Sequence, residues 1–329
     1  MVDAFQTKAM ETRLSIPIIY GIDAVHGHNN VKGAVIFPHN IGLGCTWNDT
    51  LVESAFHTTA VEVAGTGIHW TFAPCVAVPQ DERWGRTYEG FGEIPEIVRR
   101  MSRAGIVGLQ GNSLSQNTAI AACAKHYVGD VGTTNGIDQG NVQMNEAELR
   151  AIHLTPYVEA VEANVATVMV SFSSWNGQKM HGNHYLLTEV LKEELGFEGV
   201  VVSDMDGIHQ LAGDYTSNVK ESILAGIDMS MERTEYAAFI SALKSLVNSG
   251  DIPIERINDA VSRILELKFK LGLFENPYAD RSLADSVGCR AHRDIARQCV
   301  RESMVLLHKQ NGVLPLNPNQ GKILVASHG

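Results

Sequence analysis

An α/β fold of the TIM-like (β/α)-barrel kind is predicted by three observations. The sequence contains six short apolar runs, amphipathic helical segments lie between them, and polar residues gather where the runs end. The runs are 16–23 (IPIIYGID), 69–74 (HWTFAP), 119–127 (AIAACAKHY), 165–173 (VATVMVSFS), 199–204 (GVVVSD) and 225–231 (AGIDMSM). Most are continuously apolar rather than alternating, as expected for parallel strands covered on both faces.

Each helix has its own signal. Asn145 followed by Glu148 forms a capping-box-like start, after which Leu149, Ile152 and Val161 share a face of a helix over 145–164. A second helix carries Leu191 and Leu195 and stops at Gly196. Two more present Phe239, Ile240, Leu243, Leu246 and Val247, then Ile257, Val261, Ile264 and Leu265. The runs start at residues 16, 69, 119, 165, 199 and 225, so the last spacings are compact βαβ units and the first leave room for long functional loops. A barrel is preferred to an open doubly wound sheet because so many polar strand ends then meet around one pocket. Six strands are expected rather than eight: either two escape the pattern or the barrel is incomplete.

The barrel is expected over 1–275. Beyond Phe274, ENPYADRSLAD reads as a loop, a last helix as 289–307, and the segment through 320 as a terminal helix and interdomain linker. The strand-like KILVAS at 322–327 lies in 321–329, read as the start of a truncated second domain, an α/β sandwich by the resemblance given below.

Composition narrows the function. Of 329 residues 44% are hydrophobic and 19% charged, which is globular, and the net charge of −11 argues against nucleic acid or an anionic membrane as main partner. No apolar window is long enough to span a bilayer, and Met1 to Arg13 lacks the apolar core of a signal peptide, which leaves localisation open. The five cysteines show no CxxC, hence neither a disulfide framework nor a zinc site, and Cys123 reads as a buried small hydrophobe.

Candidate chemistry sits at the strand ends. Asp204 in GVVVSDMDG is a carboxylate closing a buried strand, costly to desolvate unless it faces a polar pocket; the plain alternative is a helix cap. Lys125 is open to three readings: a Schiff-base amine, a donor to substrate hydroxyls, or half of a salt bridge to a neighbouring strand. His126 lacks metal-ligand spacing, and His26 with His28 form an HxH without a third ligand motif. Arg86 in DERWGRTYEGFGE is either a planar clamp for a hydroxylated or anionic ligand or the partner of Glu89 or Glu93. There is no phosphate-loop or dinucleotide glycine pattern, and Trp70, Trp84 and Trp175 read as core before they read as sugar platforms. Carboxylates, a Lys/His pair and an Arg at strand ends describe a pocket for a neutral polyhydroxylated ligand, and cleavage of a glycosidic bond needs two carboxyl groups.

YGIDAVHGHNNVKGAVIFPHNIGLG, WTFAPCVAVPQDERWGRTYEGFGE, AKHYVGD, VMVSFSSWNG, GVVVSDMDG and AGIDMSM closely resemble glycoside hydrolase family 3, in its β-glucosidase and exo-β-glucanase branch, in the family's order from about residue 16 to 316. The resemblance implies a TIM-like first domain, a following α/β sandwich, and retaining removal of terminal β-linked glucose from β-glucosides or β-glucan oligosaccharides. It implies Asp204 as nucleophile and Asp23, Arg86, Lys125 and His126 as sugar-binding residues. It implies no redox cofactor and no catalytic metal, and a family often periplasmic or secreted.

Three departures stand out. Met205 occupies the place of a tryptophan that packs on the sugar. Phe172 replaces a tyrosine whose hydroxyl bonds the nucleophile region. The acid/base glutamate of this branch belongs to the second domain, which this sequence only begins. The single-domain hexosaminidase branch is disfavoured, since YVGDVGTTNGIDQGN holds no histidine between Tyr127 and Asn141. Two other readings stay open: a sugar-binding fragment without turnover, and a barrel aldolase with Lys125 as Schiff base.

Overall fold

The computed structural model describes residues 1–310, 312, 314–317, 319, 321, 322 and 324. The strand expected near the end of the chain falls largely outside the described residues. No helix among the described residues is long and apolar enough to cross a membrane.

Among the described residues eight strands occur in chain order: β1 (Gly21–Ile22), β2 (Trp70–Thr71), β3 (Cys123–Tyr127), β4 (Asn141–Val142), β5 (Thr167–Val170), β6 (Ser174–Trp175), β7 (Gln178–Lys179) and β8 (Val200–Val202). Five of the six apolar runs therefore contain a strand. Among the described residues the sixth pairs only through Met229, which bridges Val202 in parallel. Its Asp228 is spent differently: a buried carboxylate receiving the Val201 amide and the cations of Lys192 and Arg256.

Pairing follows chain order. β1 is parallel to β2, single parallel bridges join Trp70 to Ala121 and Cys75 to Lys125, and β3, β5 and β8 form one parallel sheet that the Met229 bridge extends. Neighbours in sequence order are the arrangement of a (β/α) barrel; a doubly wound sheet reverses its order midway. The fold is thus the TIM-like α/β class, and among the described residues no ladder joins the sixth segment back to β1. β4, β6 and β7 make a small separate sheet in the loops beyond β3 and β5.

Two layers of core follow from this arrangement. Inside, Trp70, Ala121, Cys123, Met169, Val200 and Val202 form one cluster, with Leu267, Leu271 and Leu273 closing it from below. Outside, the strands' other faces meet the helices, among them Asp49–Ala64 and Pro95–Gln110, through Val52, Phe56, Met101, Ile106 and Leu109. Continuous apolarity in the runs is explained by this double burial. The capping box is present: the Asn145 side chain accepts from the Glu148 amide, and Glu148 accepts in return from the Asn145 amide.

The last helix is Arg290–Glu302, shorter than the 289–307 expected. It docks through Glu62, whose buried carboxylate accepts from the Gly288 amide and from His292 Nδ1, each at 2.8 Å. Past Ser303 no core faces the chain: Met304, Val305, Leu306 and Leu307 are all exposed, so continued helix gains no burial.

Candidate active site

The C-terminal ends of the strands enclose a cavity of about 200 Å³ lined by Asp23, Phe72, Arg86, Lys125, His126, Met169, Phe172, Asp204, Met205 and Met231. All five residues expected at the site are in this one lining. A roomier recess of about 470 Å³ opens at the opposite ends of the strands, near His69 and Tyr278; its Asp280 is bonded to Asn117.

β3 delivers two successive side chains, which a regular strand would send to opposite faces. The ladder with β5 is shifted between Lys125 and Tyr127: Lys125 pairs with Met169 and Tyr127 with Val170, leaving His126 as the extra residue. This bulge turns Lys125 and His126 into the same cavity. Lys125 Nζ donates to Asp23 Oδ1 at 2.9 Å. The ammonium is 5% exposed and the carboxylate 65%, so Asp23 stands at the mouth with capacity for further hydrogen bonds. The salt-bridge and the ligand-facing readings of Lys125 both describe the same geometry.

Arg86 likewise has two roles. Its Nε and one Nη grip Glu89 in a bidentate pair at 2.7 and 3.0 Å, and Nη2 also faces His126 Nε2 at 3.1 Å. Glu93 is not its partner. Burial raises the Glu89 carboxyl, but the guanidinium outweighs it and holds the group below its ordinary range. His126 Nδ1 lies 2.8 Å from Asp130 Oδ2. With Arg86 donating to Nε2, the proton belongs on Nδ1, donated to Asp130. Burial, then the Arg86 and Lys125 cations, push the ring down to about 3, while burial pushes Asp130 up to about 7.

Asp204 follows the end of β8. It does not cap the next helical turn, Gly207–Gln210; that place belongs to Asp206. Its Oδ1 accepts the Met205 amide at 2.7 Å, and Oδ2 lies 3.7 Å from His126 Nε2, facing the cavity. The surrounding loop is pinned: Ser203 and Asp206 amides donate to Met229 and Met231 carbonyls, and Ser203 Oγ receives the Met231 amide. One oxygen of Asp204 is thereby held and the other faces the cavity.

Several lining or supporting residues carry no signal strong enough to single them out in the sequence. Glu89 enters there only as an alternative ion-pair partner, and Asp130, His181, Phe72, Met169 and Met231 do not enter. The GD of AKHYVGD, four residues after His126, is the available signal for Asp130. The three tryptophans lie in or against the core: Trp70 donates to Thr167, Trp84 to Asp138 and Trp175 to the Met144 carbonyl. His26 and His28 are engaged by the Phe37 carbonyl and Thr66. Among the described residues two groupings have ligand atoms close enough for one ion, Cys75–His126–Asp130 and Asp206–His209–Glu232. Each holds an internal hydrogen bond, His126 to Asp130 and His209 to Glu232, at 2.8 Å.

The family model described as glycosyl hydrolase family 3 N terminal domain matches residues 1–267. A lysosomal beta glucosidase of Dictyostelium discoideum is 38% identical over 97% of this chain and 41% of its own length, and a periplasmic beta-glucosidase of Salmonella typhimurium is 33% identical over 93% and 40%. Among solved structures, the exo-1,3/1,4-beta-glucanase of a Pseudoalteromonas species superposes with a TM-score of 0.90 at 41% identity, over 96% of this chain and 41% of that one. A beta-glucosidase from Listeria innocua in complex with glucose gives 0.89 at 31% identity, covering 94% and 43%. The chain thus spans about two fifths of the length of these relatives.

Proposed function

This chain belongs to glycosyl hydrolase family 3, and on that premise we propose that it supplies the nucleophile-bearing barrel of a retaining enzyme that removes terminal β-linked glucose from β-glucosides or β-glucan oligosaccharides. Residues 1–275 are taken as the barrel, 276–320 as terminal helix and linker, and 321–329 as the start of a further domain. A periplasmic or secreted setting goes with this reading.

The observation that carries it is the state of Asp204: one oxygen held by the Met205 amide, the other open to a small cavity. In the proposed cycle Oδ2 attacks the anomeric carbon as the glycosidic bond breaks, giving a glycosyl ester, and water then releases the sugar with retention. Asp23, Lys125 and the Arg86–His126 pair ring the same space with acceptors and donors suited to sugar hydroxyls. Room for little more than a single ring supports action on chain ends.

Among the described residues the lining contains two carboxyl groups, Asp204 and Asp23. The first is assigned as nucleophile, and the second accepts a hydrogen bond from the Lys125 ammonium. Neither is placed as a proton donor. The resemblance to the family, rather than this lining, is the support for taking the acid/base from the part of the enzyme that follows the barrel.

A 2-deoxy-2-fluoroglucoside with a dinitrophenolate leaving group tests the assignment, because that group departs without a proton and the fluorine slows the second step. Peptide mass spectrometry should find the label on Asp204, and Asp204→Asn should abolish it with the fold intact. A label on another carboxylate would overturn the assignment.

A further inference from the structure

The amide of Asp204 has an unusual acceptor. On the side facing β5, the Val200 amide donates to the Ala166 carbonyl, and the register continues Val168 with Val201 and Met169 with Val202. Continued by two residues, the ladder would carry the Asp204 amide to the Val170 carbonyl. It does not. The Asp204 amide donates instead to Nε2 of His181, at 3.2 Å.

His181 sits on the short turn Met180–Gly182, between β7 and the helix Tyr185–Glu194, and its side chain is buried. Its ring packs beside Phe172, centroids 5.9 Å apart. Close approach is secured by Gly207: a Cβ there would lie 2.2 Å from Nε2 and 2.5 Å from the neighbouring ring carbon. Because Nε2 accepts, the proton of the neutral ring is on Nδ1. The Ser171 backbone lies beside the ring as well. The imidazole therefore spans the gap where the strand carrying Ser171 leaves the one carrying Asp204.

We propose that His181 is a positioning residue for the nucleophile: as a neutral imidazole it replaces the missing rung of the ladder and fixes the backbone of Asp204, and hence the line of attack of its carboxylate. The inference rests on Asp204 being the nucleophile. Nothing in the arrangement places His181 against the sugar, since it is absent from the cavity lining.

Three variants separate this role from a packing role. His181→Leu keeps bulk and removes the acceptor, His181→Gln offers an amide oxygen near the position of Nε2, and Gly207→Ala displaces the ring without changing it. The readouts are the rate of labelling by the dinitrophenyl fluoroglucoside and the dissociation constant for glucose. Misplacing a reacting group by about 1 Å costs on the order of 100-fold, so His181→Leu should label roughly 100-fold more slowly while glucose affinity changes less than about threefold. Gly207→Ala should act in the same direction, and His181→Gln should recover roughly tenfold, the worth of one regained hydrogen bond. Labelling of His181→Leu within about threefold of the parent, or a fall in glucose affinity parallel to the labelling rate, would overturn the proposal.

Should His181→Leu not fold, nitrogen-15 spectra of the unaltered protein decide: Nε2 of His181 unprotonated from pH 5 to 8 supports the role, and a proton on it refutes it. The site of the label in the parent separates the two failures. A label away from Asp204 removes the nucleophile assignment and this inference with it; a label on Asp204 with an unaffected variant removes only the inference.

Discussion

Nη2 of Arg86 stands 3.1 Å from Nε2 of His126, and this contact decides which nitrogen of the imidazole carries the proton. Asp130 completes the arrangement from the other side at 2.8 Å. A histidine between a guanidinium and a carboxyl can present one tautomer only, so its orientation at the cavity is set before a ligand arrives.

Asp130→Asn tests that orientation. An amide NH2 turned toward Nδ1 would favour the opposite tautomer and set its Nε2 proton against Arg86. We expect kcat/KM on an activated aryl glucoside to fall about 10- to 100-fold, equivalent to ~1.4–2.7 kcal/mol. Values within twofold of the parent would show that the tautomer is immaterial.

Lys125 and Asp23 should respond asymmetrically. Removing Asp23 strands a buried ammonium, whereas removing Lys125 leaves a carboxylate that water already reaches. Asp23→Ala is expected to lower unfolding free energy by ~2–4 kcal/mol, and Lys125→Met by less than ~1 kcal/mol. Urea midpoints at unchanged m-value measure the difference. Equal losses would contradict the burial argument. Both substitutions should weaken glucose binding.

Acid should destabilise the fold well above the carboxylate range. Burial holds His126 and His181 at about 3 and His153 at about 4, against about 6.5 unfolded. Lowered folded values mean that the unfolded chain binds more protons below pH 6.5, so stability falls as pH drops. Asp130, raised by burial to about 7, acts in the opposite sense between pH 7 and about 4 and offsets one of the three. The net slope approaches ~2.7 kcal/mol per pH unit near pH 5. A Tm that is flat between pH 7 and 5 would exclude three neutral buried imidazoles.

Met205 is 38% exposed at the rim of the cavity. Met205→Trp adds a flat apolar face there without entering the core, so stability should change by less than ~0.5 kcal/mol. Aromatic stacking on the sugar is expected to lower KM a few-fold, by ~0.5–1 kcal/mol. A raised KM would mean that the larger ring closes the entrance.

Sequence alone determined the layered α/β class, the order of the strands and the five residues expected around the cavity. Those features are written locally. Uninterrupted apolar runs mark strands covered on both faces, and a polar residue closing such a run has to leave the core. Tertiary structure alone decided how those five are held. The bulge at His126 aims two consecutive side chains into one space; Glu89 and Asp130 fix Arg86 and His126 through contacts made only after folding; and His181 reaches the Asp204 amide from 23 residues away in sequence. The sixth run formed a bridge instead of a strand, and the last helix ended at Glu302, for a related reason. Hydrogen-bond partners and available core are set by which segments lie side by side, and no periodicity within a segment records its neighbours.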